Sequence, residues 1–389
     1  MSRKVKINYY DKFRCTADKC PFNCCKEWRI GIDEETLDKW QDVKLPAKND
    51  DEESLPELSL CSCLQKEAHG YIIAHKENKD CPFLDGKKLC RIVSQLGEAY
   101  LADTCTTFPR QINSFEGRRE YSLDACCPVV IDIMHEEKES ITFIKEGSSI
   151  IEEDLLESVR DMMLELIGAE DYTIPERMMM IFYALLDLLR QRKLTANHLS
   201  RCKTKAYLDE LATAIRNMPF DAMESIIERN ELFLDVVDNY RRNGLYVAYL
   251  EGISEISESL EDEYCDDELI EINALFEAQF IKYENLMKNY LIAEIFGNTL
   301  MPESTLEDLV VAFEWIAMEY VAVRQAIFLK WLKEGSKELT YEMVRDYMMI
   351  IARVTGYDQE DIREYLENSF ESVVWEWGYL ALIIGNDEI

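Results

Sequence analysis

The chain has 389 residues, 48% of them hydrophobic and 31% charged, enough for one large core or two ordinary ones and too apolar for wholesale disorder. Its formal net charge of −33 is uneven: residues 1–127 carry 20 Lys and Arg against 22 Asp and Glu, whereas 128–389 carry 23 against 54. A field of that sign argues against nucleic acid or an anionic membrane as partner, since both are held by Lys and Arg, and favours a cationic partner such as a lysine side chain.

Met1 to Phe13 alternates charged and aromatic residues and lacks the apolar stretch of a signal peptide. No later run is long and charge-free enough to span a bilayer, so a soluble cytoplasmic protein is expected. Eleven of the 13 cysteines then follow before residue 128: Cys15, Cys20, Cys24, Cys25, Cys61, Cys63, Cys81, Cys90, Cys105, Cys126 and Cys127. Disulfides need an oxidising compartment, and inert buried thiols do not arrive as Cys-x4-Cys-x3-Cys-Cys. Metal ligation in a reducing compartment is the remaining reading. Structural zinc favours paired Cys-x2-4-Cys spacings, whereas here the spacings are irregular and His69 and His75 fall outside any finger pattern. Many thiolates from distant segments suit an iron–sulfur cluster, with zinc as the alternative.

In the adjacent pairs Cys24-Cys25 and Cys126-Cys127, an extended backbone sends the two side chains to opposite sides, so one member of each is expected to ligate. Cys61 and Cys63, beside the acidic run Asp50–Glu53 and Pro56, read as a surface loop and as the weakest ligands.

Beyond Pro128, helical periodicity dominates. Leu306, Leu309, Val310, Phe313, Ile316, Tyr320 and Val323 mark one apolar face of a helix opened by Pro302-Glu303-Ser304 and ended by Gly335. Similar patterns occupy roughly 150–168, 176–193, 204–217, 221–242, 268–297, 340–355 and 358–384. The methionine runs Met178–Met180 and Met348-Met349 read as helix core. Strands are expected to be few and confined to 121–147. The fold class expected is mainly α: a cysteine-rich metal-binding segment, 1–135, packed on an acidic all-helical body, 136–389, that docks a protein substrate.

Phe13-Arg-Cys-Thr-Ala-Asp-Lys-Cys-Pro-Phe-Asn-Cys-Cys-Lys-Glu-Trp-Arg-Ile-Gly-Ile-Asp33, Cys81-Pro-Phe-Leu-Asp-Gly-Lys-Lys-Leu-Cys90 with Leu96–Tyr100 and Asp103–Arg110, and Tyr121-Ser-Leu-Asp-Ala-Cys-Cys-Pro128 form three blocks. Together they resemble the flagellin lysine-N-methylase family. A fainter match runs from Tyr283 to Tyr290 and on to Ile295-Phe296. The resemblance implies methyl transfer from S-adenosylmethionine to flagellin lysines with an iron–sulfur cluster, taken as 4Fe-4S. Carried over position by position, the motif cysteines are Cys15, Cys20, Cys24, Cys25, Cys81, Cys90, Cys105 and one of Cys126 or Cys127. Cys127, which directly precedes Pro128, is the favoured register.

Such an enzyme must deprotonate an ammonium and align it with a sulfonium methyl group. No G-x-G occurs among the 14 glycines, so the usual nucleotide-binding turn is not expected. A cluster iron lacking a cysteine ligand offers another anchor for the cofactor. The radical-enzyme motif Cys-x3-Cys-x2-Cys is not met, because Glu27 stands where the third cysteine belongs. Trp28 is a candidate to face a sulfonium or ammonium through its ring, and Arg110 to clamp a carboxylate. The competing roles are a core anchor for Trp28 and a structural ion pair for Arg110. The competing function is a non-catalytic metal-binding adaptor or cluster carrier.

Overall fold

The computed structural model describes residues 3–49, 54–67, 70–147 and 154–385. His69 and the run Asp50–Glu53 lie outside them. The chain divides into two compact units, one formed by Met1–Lys12, Gln111–Cys126 and Val130–Ile389, the other by Phe13–Arg110 with Cys127–Val129. The cysteine-rich unit is therefore narrower than 1–135, because the first and last strands of that stretch pair with each other and belong to the helical unit.

The helical unit is organised around the helix Leu306–Lys333. Thr305 caps it: its hydroxyl accepts the Asp308 N–H at 3.2 Å, and the Asp308 carboxylate takes the Thr305 N–H at 2.7 Å. Gly335, at φ +80°, closes the other end with its N–H on the Leu332 carbonyl. The single apolar face read from the sequence is a correction: every residue from Leu309 to Leu329 is buried, Glu314, Glu319, Arg324 and Gln325 included. Such a helix is surrounded, and Ile174–Leu189, Ala222–Arg242, Val247–Glu263 and Tyr341–Thr355 pack around it.

Two expected helices are broken. The stretch 268–297 becomes Asp266–Phe280 and Glu284–Asn298, joined by a tight turn at Ile281–Tyr283 whose Tyr283 hydroxyl donates to the Leu339 carbonyl. The stretch 358–384 becomes Gln359–Ser369 and Trp377–Ile384, because Glu314 takes the Trp375 N–H at 2.6 Å in place of a helical carbonyl. Helix Val247–Glu263 was not foreseen; its buried face includes Ser254 and Ser257, which dilute the apolar signal.

A four-stranded sheet lines this unit, in the order Phe143–Glu146, Arg3–Ile7, Arg118–Leu123, Arg110–Phe115. Arg3 pairs with Arg118 in parallel register and Lys4 with Glu146 in antiparallel register. The hairpin between the last two strands turns at Gly117, φ +72°, a position that a side chain would strain. Buried charge ties the sheet to helix Leu155–Ile167: Arg160 holds Glu120 through two bonds, at 2.5 and 2.7 Å, and Arg118 bridges Glu120 and Glu157.

The cysteine-rich unit is not the strandless segment expected. It holds a three-stranded sheet, Gly31–Ile32, Gly70–Ile73, Leu64–Glu67, and two short ribbons. Its core gathers Ile30, Trp40, Leu45, Leu60, Ile73, Phe83 and Ile92 together with Cys63 and Cys81. Trp40 meets Phe83 edge-on at 5.5 Å and donates its indole N–H to the Tyr100 carbonyl at 2.8 Å. Buried Arg91 donates to the carbonyls of Pro46 and Pro56 and pins the ribbons.

Glu314 supplies a pH test of this packing. One carboxyl oxygen takes the Trp375 N–H, the other has no partner, and burial lifts its pKa to about 8. Between about pH 5 and 8 the folded protein keeps a proton that the unfolded chain releases, so stability falls as pH rises, by up to about 1.4 kcal/mol per unit. Urea unfolding of Glu314→Gln across that range is expected to show this slope removed, with the variant the more stable protein at pH 8.

Candidate metal centre

Backbone pairing brings the cysteine segments together. The Cys81 N–H donates to the Cys25 carbonyl at 2.7 Å, and the Glu27 N–H to the Lys79 carbonyl at 2.9 Å, so the first block lies along the second. A tight loop then returns Cys90 toward Cys81: Asp85 N–H meets the Leu89 carbonyl at 3.0 Å and Arg91 N–H the Phe83 carbonyl at 2.8 Å. The Asp85 carboxylate fills that loop, accepting from the Lys87 and Leu89 N–H groups and from Lys48. Cys105 arrives on the short helix Asp103–Thr107.

These contacts gather Cys24, Cys25, Cys81, Cys90 and Cys105. The Cys24 thiol hydrogen-bonds that of Cys25, which with burial and the charges of Cys24, Cys81 and Cys105 drives the Cys25 pKa upward. Burial first, then Cys90 and Cys63 among its neighbours, pushes Cys81 to about 12; burial and then Cys81, Cys24 and Cys90 push Cys105 to about 12. Cys90 is raised by burial and by Cys24. Cys25, Cys81, Cys90 and Cys105 thus resist ionisation, three of them through burial first and neighbouring sulfurs second, and a metal cation would reverse that balance. Among the described residues no three Cys, His, Asp or Glu already stand at ligating geometry. The donor set is what fits a metal: all sulfur, half-buried to buried, drawn from three separate segments.

Cys24 and Cys25 correct the expectation that one of them turns away, since the backbone there is a turn and both thiols reach the same place. Cys61 and Cys63 are not a surface loop either; they form a tight turn, with Cys63 buried beside Cys81 and Cys61 packed on the same core. Cys15 is exposed, its sulfur accepting the Ala17 N–H, and the Cys20 thiol donates to the Phe22 carbonyl at 3.1 Å. Cys127 is buried immediately before helix Pro128–Glu136, and Cys126 lies in the helical unit, its carbonyl held by Arg353. Trp28 is half-buried with its ring edge-on to Phe108 at 4.4 Å, and the Arg110 guanidinium covers the Phe13 ring at 4.9 Å.

A family model described as the FliB lysine N-methylase C-terminal domain matches residues 160–383, more than half of the chain. The chain belongs to this family. Among relatives, the lysine-N-methylase of Salmonella typhimurium is 29% identical over 123 residues, 31% of this chain and 30% of that protein. The flagellar biosynthetic protein FliU of Salmonella muenchen is 30% identical over 119 residues, 30% of this chain and 68% of the relative. The chain thus aligns with under a third of the lysine-N-methylase's length. No solved structure matches it. Among the described residues no helix is long and apolar enough to cross a membrane.

The thiol arrangement of this family member is open to chemical mapping. Iodoacetamide on the native protein is expected to label Cys15 and Cys265, which are exposed, before all others. Cys81 and Cys105, with thiols pushed to about 12, should be among the last, as read by peptide mass spectrometry. Labelling of Cys81 and Cys105 as fast as Cys15 would contradict the arrangement.

Proposed function

We propose that this protein is an S-adenosylmethionine-dependent lysine N-methyltransferase acting on flagellin, with a Cys-ligated iron–sulfur cluster. The observation that carries the reading is the family match through residues 160–383 together with relatives named for lysine methylation and flagellar biosynthesis. The cluster is supported by the gathered thiols. Of the eight cysteines assigned from sequence, Cys24, Cys25, Cys81, Cys90 and Cys105 are the set from which the cluster draws its ligands; Cys15, Cys20 and Cys127 follow as outer candidates.

When bound, such a cluster with one iron free of cysteine offers a coordination position to the amino and carboxylate groups of the methyl donor. The chain's own residues do the rest. In this reading Arg110 clamps a carboxylate, and Trp28 supplies a cation–π contact worth about 0.5–2 kcal/mol to a sulfonium or ammonium. The acidic helical unit draws lysine-bearing surfaces toward it over a range that salt shortens.

Mass spectrometry of flagellin co-expressed with the full chain tests the reading. Increments of about 14 Da on lysines are expected, from exchange of N–H for N–CH3. They should vanish with Cys81→Ser or Cys105→Ser and persist with Cys265→Ser. Unmodified flagellin beside a protein that retains its metal would point to a cluster carrier instead.

A further inference from the structure

The helical unit has an open cavity of about 490 Å³ where three of its parts meet: the hairpin turn between Phe115 and Arg118, the start of helix Leu155–Ile167, and the loop before the central helix. Small-molecule sites commonly fall between about 300 and 1,000 Å³. Apolar surface from Phe115, Leu300 and Met301 lines it together with charged groups of both signs. All of the lining residues belong to this one unit.

Arg118 is a buried part of the wall. It is 8% exposed, and its guanidinium lies over the Phe115 ring at 4.2 Å. Its Nε stands 2.8 Å from a Glu120 oxygen and its Nη1 donates to Glu157, whereas Nη2 has no partner among the described residues. Both carboxylates are shared: Arg160 takes the two oxygens of Glu120, and Arg3 also holds Glu157. Three guanidiniums on two carboxylates leave one positive charge in excess within these contacts, beside the cavity. A buried guanidinium with an unused donor suits an oxygen anion. Ser304 adds a second donor, since its hydroxyl oxygen accepts the Met301 N–H at 2.9 Å and its own proton is left to give.

The exposed part of the wall carries the opposite sign. Glu116 lies in the two-residue turn between Phe115 and Arg118, and Glu303, at φ +70°, in the loop that leads to Thr305. Both are exposed, and neither meets a basic side chain among the described residues. They repel a plain anion such as phosphate, and the excess charge at the guanidiniums repels a plain cation. A carboxylate and an ammonium joined through one carbon meet both demands, while Phe115, Leu300 and Met301 cover an apolar substituent on that carbon.

We infer that this cavity binds an α-amino acid head group with an apolar side chain. The carboxylate takes Arg118 Nη2 and the Ser304 hydroxyl, and the ammonium lies by Glu116 and Glu303. A free amino acid and the methionyl end of a larger molecule share this chemistry. The site rests on its own geometry and does not depend on the methyl-transfer reading.

Isothermal titration of the full-length protein with L-methionine at pH 7, where both head groups are charged, tests the site. L-Methionine should bind. Its methyl ester, which lacks the carboxylate, and N-acetyl-L-methionine, which lacks the ammonium, should each bind at least about tenfold more weakly. L-Glutamate, whose second carboxylate meets the acidic wall, should lose at least about as much. Glu116→Gln and Glu303→Gln alter only exposed groups and should each weaken L-methionine severalfold. Arg118→Gln should abolish binding, and the ester and N-acetyl comparisons on the wild type guard against its misfolding. Displacement of L-methionine by S-adenosyl-L-homocysteine supports the site with the larger molecule as source, and binding without such displacement supports it with the free amino acid. No binding of L-methionine up to about 10 mM, or equal affinity for its free, esterified and acetylated forms, overturns the site.

Discussion

The gathering of five thiols in one half-buried place is the constraint around which the cysteine-rich unit is built. Burial first, and then the charge of neighbouring sulfurs, opposes ionisation of Cys81, Cys90 and Cys105, while the bond to the Cys24 thiol, followed by burial, does so for Cys25. Without a cation the thiols stay protonated and contribute only as small apolar groups. With one, the same closeness becomes an advantage, because ligands need not be gathered at the moment of binding. In a unit of very short strands and helices, a metal held by these thiols would contribute folding free energy, on the order of 10 kcal/mol for small zinc modules. The rest of the unit serves the gathering: Arg91 pins the ribbons, Asp85 fills the Cys81–Cys90 loop, and Trp40 anchors the segment that leads to Cys105.

The helical unit solves a different problem. Its central helix is buried along nearly its whole length and still carries Glu314, Glu319, Arg324 and Gln325. Arg324 is matched by Glu277, and the Glu120–Arg160 pair shows that this unit can neutralise buried charge when that is all that is required. Glu294, Glu314 and Glu319 have no such match, and burial holds each toward its neutral form, which avoids the cost of an unpaired buried charge.

Much of this was legible in the chain because the signals were local. The helix end at Gly335 follows from capping chemistry, whereas its start, read at Pro302–Ser304, falls at the Thr305 cap, and the cysteine blocks announce themselves by clustering. What was not legible depended on partners distant in sequence. The strand Arg3–Ile7 is too short and charged to read alone, and exists because Arg118–Leu123 and Phe143–Glu146 flank it. The break before Trp377 needs Glu314, 61 positions away, to take the Trp375 N–H. Cys61 and Cys63 looked exposed beside an acidic run, yet the core closes over Cys63.

The central claim, that the gathered thiols form a metal centre, is most directly tested by X-ray absorption at the iron and zinc edges of the full-length protein purified without oxygen. The account predicts stoichiometric metal with a first shell dominated by sulfur, lost on replacing Cys81 and Cys105 together by serine. A metal-free protein that keeps its native circular dichroism and its buried thiols would contradict it.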